Sequence, residues 1–196
     1  MPRALTTKGV ATRNRIVEHA AAVVRERGVA QTSLESVRAA AHVSNSQLFH
    51  YFPEGRTALM LAVAQYEADT ILADQEARLD GAKTWQAWED WAESLCARYE
   101  SQGSRCELTT LLSQLDPDNP GIQAILADAF DQWERLLTNG IRGMQAARKV
   151  RPDLDADTTA QVMVAGIVGS TMHMTATGST ARLRTTLRAS IASLRR

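Results

Sequence analysis

Cysteine is scarce in this chain, two residues in 196, and Cys96 and Cys106 lack the short spacing of a zinc ligand pair. So few thiols also give no disulfide framework and read as ordinary buried side chains. His19, His42, His50 and His173 are scattered, and none stands four residues from another, so no helical metal-binding pair exists. Glycine supplies neither a phosphate-cradling loop nor a nucleophile elbow. No unbroken apolar run approaches eighteen residues, which excludes a membrane-spanning helix. Asp153-x-Asp155-x-Asp157 begins like a calcium loop, but Thr158 stands where glycine is required and Val164 where the bidentate glutamate should be. Those aspartates read as helix-start chemistry instead. The chain offers no catalytic residue, no metal and no cofactor to assign.

Net charge is also missing, with 22 basic against 22 acidic residues, but the balance is uneven along the chain. The first sixty residues carry eight basic and four acidic side chains, a net +4, which leaves fourteen against eighteen, a net −4, for the remainder. A basic N-terminal module on an acidic body favours phosphate contact at one end. Met1 to Val10 reads as a short polar arm without the apolar core of a signal peptide, and cytoplasm is the expected location. Beyond it the chain reads as helix after helix, with no strand alternation and no repeat. Breaks at Gly81, Gly103, Asp116-Pro117-Asp118-Asn119-Pro120-Gly121 and Arg151-Pro152 divide the body into helices near 57–79, 84–101, 105–115, 121–148, 156–177 and 179–195. With three in front, an all-α fold of nine helices is predicted. Residues 1–57 form the arm and a three-helix module, and 58–196 form a larger helical body.

The stretch Thr32 to Leu59 carries the functional signal. Thr32 precedes Glu35 by three places and Ser44 precedes Gln47 by three, the spacing of two capping boxes. Two helix starts so close together imply a short first helix and a tight turn, the layout of a helix-turn-helix. His42 holds the place in that turn where the backbone wants a positive φ, a region histidine enters more often than most residues. In the second helix Leu48 and Phe52, four apart, should face inward. Asn45, Ser46, Gln47, Phe49 and His50 then face outward as candidate base-contacting residues: amides pair bidentately with adenine, serine bonds several base edges, and an aromatic ring touches a thymine methyl. Ser33, Ser44, Tyr51 and Arg56 suit phosphate oxygens. The implied partner is a double-stranded DNA operator.

Several segments together resemble a known family: Thr12-Arg13-x-x-Ile16-Val17-x-x-Ala20-Ala21 ending at Gly28, then Thr32 and Val37, Val43-Ser44, and Leu48-Phe49-His50-Tyr51-Phe52. Over residues 11–60 the chain is similar to the DNA-binding domain of TetR-type one-component transcriptional repressors. Phe52-Pro53-Glu54-Gly55-Arg56, one residue longer than the commonest form, is similar to the LmrA-like branch. Ser36, Arg38 and His42 depart from the acidic residue, the small residue and the glycine usual at those places. The resemblance implies the same nine helices, an effector cavity in the body, and a two-fold dimer joined through four helices.

Two body surfaces suit those implied roles. Trp85, Trp88, Leu95, Cys96 and Tyr99 share one face of the helix near 84–101, with Trp91 at its border, and Phe130 and Trp133 add aromatic surface from a later helix. They fit the walls of a pocket for an apolar or aromatic effector and equally fit plain core. Leu183, Leu187 and Ile191 make a stripe on the last helix, and Val162, Ala165 and Gly169 a small-residue surface on the one before, where a homodimer interface is expected. The reading is a ligand-responsive repressor that binds a palindromic operator as a dimer. Its rivals are an activator or a regulator controlled by a protein partner, and a small all-helical enzyme or carrier that does not bind DNA.

Overall fold

The computed structural model describes residues 5–102 and 118–195, and among them every regular element is helical. In chain order these are α1 (Thr7–Arg27), α2 (Leu34–Ala41), α3 (Asn45–Tyr51), α4 (Arg56–Leu79), α5 (Trp85–Gln102), α6 (Pro120–Ala146), α7 (Ala156–Thr177) and α8 (Ala181–Leu194). The expected helix near 105–115, the break at Gly103 and Cys106 lie outside the described residues. No described helix is long and apolar enough to cross a membrane. The described residues fall into two compact units. One comprises the chain up to Ala68 together with the start of α6 as far as Ile125; the other begins at Asp69 and resumes at Leu126.

In the first unit the helix starts earlier than the polar arm suggested, because the Thr6 hydroxyl caps it by accepting from the Gly9 amide at 3.2 Å. Ile16, Val17, Ala20, Ala21 and Val24 recur at helical spacing and are buried with Val37, Val43, Leu48, Phe52, Leu59, Met60 and Val63 in one core. Gly28 ends α1 at φ 81°, a value that favours glycine. The first capping box is shifted by one residue from its expected place. Ser33 is the N-cap of α2 and exchanges hydrogen bonds with Ser36, while Thr32 turns inward and donates its hydroxyl to the Gly28 carbonyl at 2.7 Å. Glu35 therefore sits in the first turn of α2, where its charge suits the helix dipole, rather than closing a box. Arg25 donates to the buried carboxylate of Glu67 at 2.6 Å and links the end of α1 to α4.

The second unit is built on a core in which Trp88, Trp91, Leu95, Leu137, Ile141, Met144, Met163 and Leu187 are almost wholly buried. Gly140 permits a close approach. A Cβ there would stand 3.0 Å from Cζ2 of Trp88, so the indole lies directly on the α6 backbone. The Asp155 carboxylate caps α7, accepting from the Asp157 and Thr158 amides and the Thr158 hydroxyl. These bonds, Thr158 foremost, hold its pKa below the ordinary aspartate value. Arg184 of α8 bonds both Glu93 and Glu100 of α5, and the Thr180 hydroxyl donates to Glu100 at 2.8 Å. Arg195 reaches Glu89 at 2.6 Å and lies 4.7 Å from the Trp85 ring centroid.

The hydrogen bond from Arg184 lowers the pKa of Glu93; those from Thr180 and then Arg184 lower that of Glu100. Because both folded values lie below the unfolded 4.5, their contribution is complete above that value and disappears as pH falls through the depressed folded values. Exposure and salt screening keep it modest. Thermal unfolding at neutral pH and below pH 4.5 should show a smaller acid-induced loss for Arg184→Ala than for the wild type, with the difference shrinking at high salt.

Candidate functional site

A short, tightly constrained turn fixes the direction of α3. His42 adopts φ 52° and ψ 48°, the left-handed conformation expected from its position, and its N–H is directed to the Arg38 and Ala39 carbonyls. Two residues later Ser44 begins α3 with the reciprocal box the spacing predicts: its hydroxyl accepts from the Gln47 amide at 3.2 Å, and Gln47 Oε1 accepts from the Ser44 amide at 3.0 Å. Leu48 and Phe52, each 1% exposed, anchor the helix inward, and Arg13 lies 5.3 Å from the Phe52 ring centroid. Asn45, Ser46, Gln47, Phe49 and His50 all face solvent, with Phe49 at 46% exposure.

The polar groups on that face are not equally free. Gln47 holds its carbonyl oxygen in the cap, so bidentate pairing with adenine would require breaking the box. Its Nε2 remains available as a single donor. The Ser46 and Ser44 hydroxyls lie 3.0 Å apart and can share one proton. Asn45 and His50 are exposed, with the His50 ring edge-on to Tyr51 at 4.9 Å.

The expected phosphate-contacting residues also hold the domain together. Ser33 and Ser44 are N-caps, and Tyr51 is partly buried against the core of the first unit. Arg56 is exposed but is also engaged within the domain. Its Nε donates to the Thr32 carbonyl at 3.2 Å and its NH2 to the Val29 carbonyl at 2.6 Å, which fastens the start of α4 to the segment before α2. The chain near 29–32 carries carbonyls unused by any helix, and a guanidinium fork satisfies two of them at once.

In the second unit the expected pocket residues divide. Trp88, Leu95, Cys96, Tyr99 and Trp133 belong to the buried core, while Trp85 and Phe130 are partly buried against it. Trp88 is corrected from pocket wall to packed interior: it has no exposed surface and donates Nε1 to the Ala82 carbonyl at 3.3 Å. Trp91 is likewise interior rather than bordering, and its Nε1 donates at 2.6 Å to Oε1 of Gln75, a fully buried amide on α4 that its polar character concealed in the sequence. Burial pushes the Cys96 thiol pKa up, which makes it a poor nucleophile. An open groove of about 550 Å³ runs between α5 and α8, floored by Ala92, Cys96, Leu187 and Ile191 and edged by Glu89, Glu93, Arg184 and Arg188.

The expected dimer surface divides in the same way. Leu183, Leu187 and Ile191 are 0%, 1% and 5% exposed and serve the core of their own unit, which corrects their place in an interface between subunits. Ser170 and Thr186 meet at 2.8 Å where α7 and α8 pack, and a Cβ on Gly166 would stand 2.9 Å from the Thr186 methyl. Val162, Ala165 and Gly169 remain exposed, joined by Met172, which sequence reasoning missed; Val162 and Met172 are 66% and 64% exposed. Their three- and four-residue spacing draws one apolar stripe along the outside of α7. Among the described residues no cluster of three acidic, histidine or cysteine side chains could hold a metal ion.

Residues 16–63 match the family described as bacterial regulatory proteins, tetR family, and residues 82–190 match the tetracyclin repressor-like C-terminal domain. An uncharacterized HTH-type transcriptional regulator of Mycobacterium tuberculosis is 25% identical over 138 residues, spanning 66% of this chain and 71% of that protein. A TetR-family regulator from Cytophaga hutchinsonii superposes with TM-score 0.78 at 22% identity, covering 98% of both chains. A TetR-family transcriptional regulator from Mesorhizobium loti gives 0.79 at 16% identity, over 96% of this chain and 97% of that one. A complex of SmeT with triclosan gives 0.68 at 17% identity, over 93% and 91%.

The left-handed residue before α3 generates a prediction that needs no DNA. His42→Val should destabilise the protein by about 1–2 kcal/mol, because a β-branched side chain disfavours positive φ, whereas His42→Gly should be neutral or slightly stabilising. Urea unfolding of the two variants measures the difference, and equal stabilities would contradict the strain assigned to the turn.

Proposed function

The chain belongs to the TetR family, and on that premise we propose that it is a ligand-responsive transcriptional repressor that binds a palindromic operator as a dimer and is released by an apolar or aromatic small molecule. Members of this family are DNA-binding regulators rather than enzymes. The observation that carries the proposal is the outward row on α3, held by Leu48 and Phe52 behind it. A helix presented this way can enter a major groove with its N-terminal residues against base edges.

In this reading Asn45, Ser46, Phe49 and His50 read bases, Gln47 adds a single donor through Nε2, and the capped helix starts at Ser33 and Ser44 set register against phosphate. Arg56 acts by holding that geometry. The exposed stripe of Val162, Ala165, Gly169 and Met172 supports a two-fold interface through α7. Such an interface would set two recognition helices about 34 Å apart, the separation of successive half-sites.

The effector reading draws on the aromatic core around Trp133 and Phe130, and the triclosan complex of a protein with the same fold supports an apolar, aromatic ligand. Release requires only that the effector favour the DNA-incompetent arrangement. A 100-fold preference supplies about 2.7 kcal/mol. The α4 helix, continuous from Arg56 to Leu79 and carrying the buried Gln75, is the covalent route from that core to the DNA-reading module.

Fluorescence anisotropy with the protein's own upstream DNA and with random duplex tests the proposal. Asn45→Ala and His50→Ala should each cost about 1–3 kcal/mol on the operator and far less on random sequence. Arg56→Ala should weaken both DNAs and also lower the unfolding midpoint. Equal losses on both duplexes for the Asn45 and His50 variants, or no preference for the operator in the wild type, would refute the assignment.

A further inference from the structure

The chain has four tryptophans, and their N–H groups meet different fates. Trp88 donates to the Ala82 carbonyl, Trp91 donates to Gln75, and Trp85 is only partly buried, within reach of solvent. Trp133 is different. It is 5% exposed, it belongs to the core of the second unit, and its Nε1 finds no acceptor among the described residues. Native interiors seldom leave a buried donor unpaired, because it gives up water without replacement. An indole N–H kept in that state is a feature that a bound acceptor would complete.

The surroundings limit what that acceptor can be. The buried polar side chains described in this unit are Gln75, Thr138, Ser170 and Thr171, all uncharged. With no buried charged side chain among the described residues of this unit, an ionised ligand group would be desolvated without compensation, whereas a neutral oxygen would not. Phe130 and Leu136, partly buried against the same core on the same helix, supply aromatic and aliphatic surface for the rest of the molecule.

We propose that Trp133 is the hydrogen-bond donor of the effector site, and that the site takes a neutral aromatic molecule bearing a carbonyl or ether oxygen. The inference rests on the effector reading above and sharpens it from shape to chemistry. Trp133 selects among ring systems of one size by the presence of an acceptor, and the uncharged interior rejects carboxylates.

Three probes of nearly equal size separate these effects: 2-acetylnaphthalene with a neutral carbonyl, 2-isopropenylnaphthalene with a methylene in its place, and 2-naphthoate with a charge. Each is titrated into full-length ¹⁵N-labelled protein while the tryptophan indole N–H resonances are followed, that of Trp133 being assigned through Trp133→Phe. The ketone should bind about fivefold more tightly than the alkene, as one neutral hydrogen bond allows. It should shift the Trp133 N–H downfield, and naphthoate should bind more weakly than either. In Trp133→Phe the ketone's advantage should vanish; should that variant fail to fold, the wild-type comparison decides alone.

Equal affinity for ketone and alkene would overturn the donor role while leaving an apolar effector site standing. A Trp133 resonance already downfield in the free protein and unmoved by the ketone would overturn it too, by revealing an internal water or protein acceptor. Binding by none of the three probes would remove the effector reading together with this inference.

Discussion

A seven-residue helix cannot sustain itself in water, because nucleation costs more than so few hydrogen bonds return. Everything that α3 does therefore depends on what holds it from outside. Two anchors, Leu48 and Phe52, are driven into the core of the first unit, and the reciprocal bonds of Ser44 and Gln47 satisfy the amides at its start. His42 accepts a backbone conformation unfavourable to its side chain so that the chain can reverse in so few residues. The solvent face of α3 carries almost none of this work, which leaves Asn45, Ser46, Phe49 and His50 free to meet another molecule.

That division makes several residues serve two purposes. Gln47 looks outward yet holds its own helix start, and Arg56 has the charge of a phosphate ligand yet fastens two backbone carbonyls. For such residues a loss of DNA affinity on substitution would mix contact with geometry. Stability must be measured beside binding before either is assigned a role.

The second unit follows another logic. Its core is rich in tryptophan, and Trp88 and Trp91 pack edge to face with ring centroids 5.8 Å apart while each N–H is directed to a fixed acceptor. Arg184 and Arg195 tie α8 to α5 from the polar side. Against that well-satisfied background the Trp133 donor, without an acceptor among the described residues, and the exposed stripe on α7 stand out as features folding alone does not need. One suits a small ligand and the other a second subunit.

The start of α3, the breaks at Gly81 and Arg151-Pro152, the inward pair Leu48 and Phe52 and the positive φ of His42 were all legible in the residue order. Each depends on contacts within a few positions, where side-chain type and helical period decide the outcome. Local rules reached less far at Thr32. Two adjacent hydroxyl residues could each have capped α2, and burial against the Gly28 carbonyl drew Thr32 inward and left the role to Ser33. Which apolar stripe faces the molecule's own core and which faces outward is a competition between distant segments, and periodicity does not record it. So Leu183, Leu187 and Ile191 could not be told from an interface, nor Trp88 from a pocket wall, until the packing of α5, α6, α7 and α8 chose their partners. The amino-acid order by itself determined an all-helical chain with a helix-turn-helix near its beginning. Tertiary packing alone decided which of its polar and aromatic groups remain available for chemistry, since availability is what is left once every buried group has sought a partner.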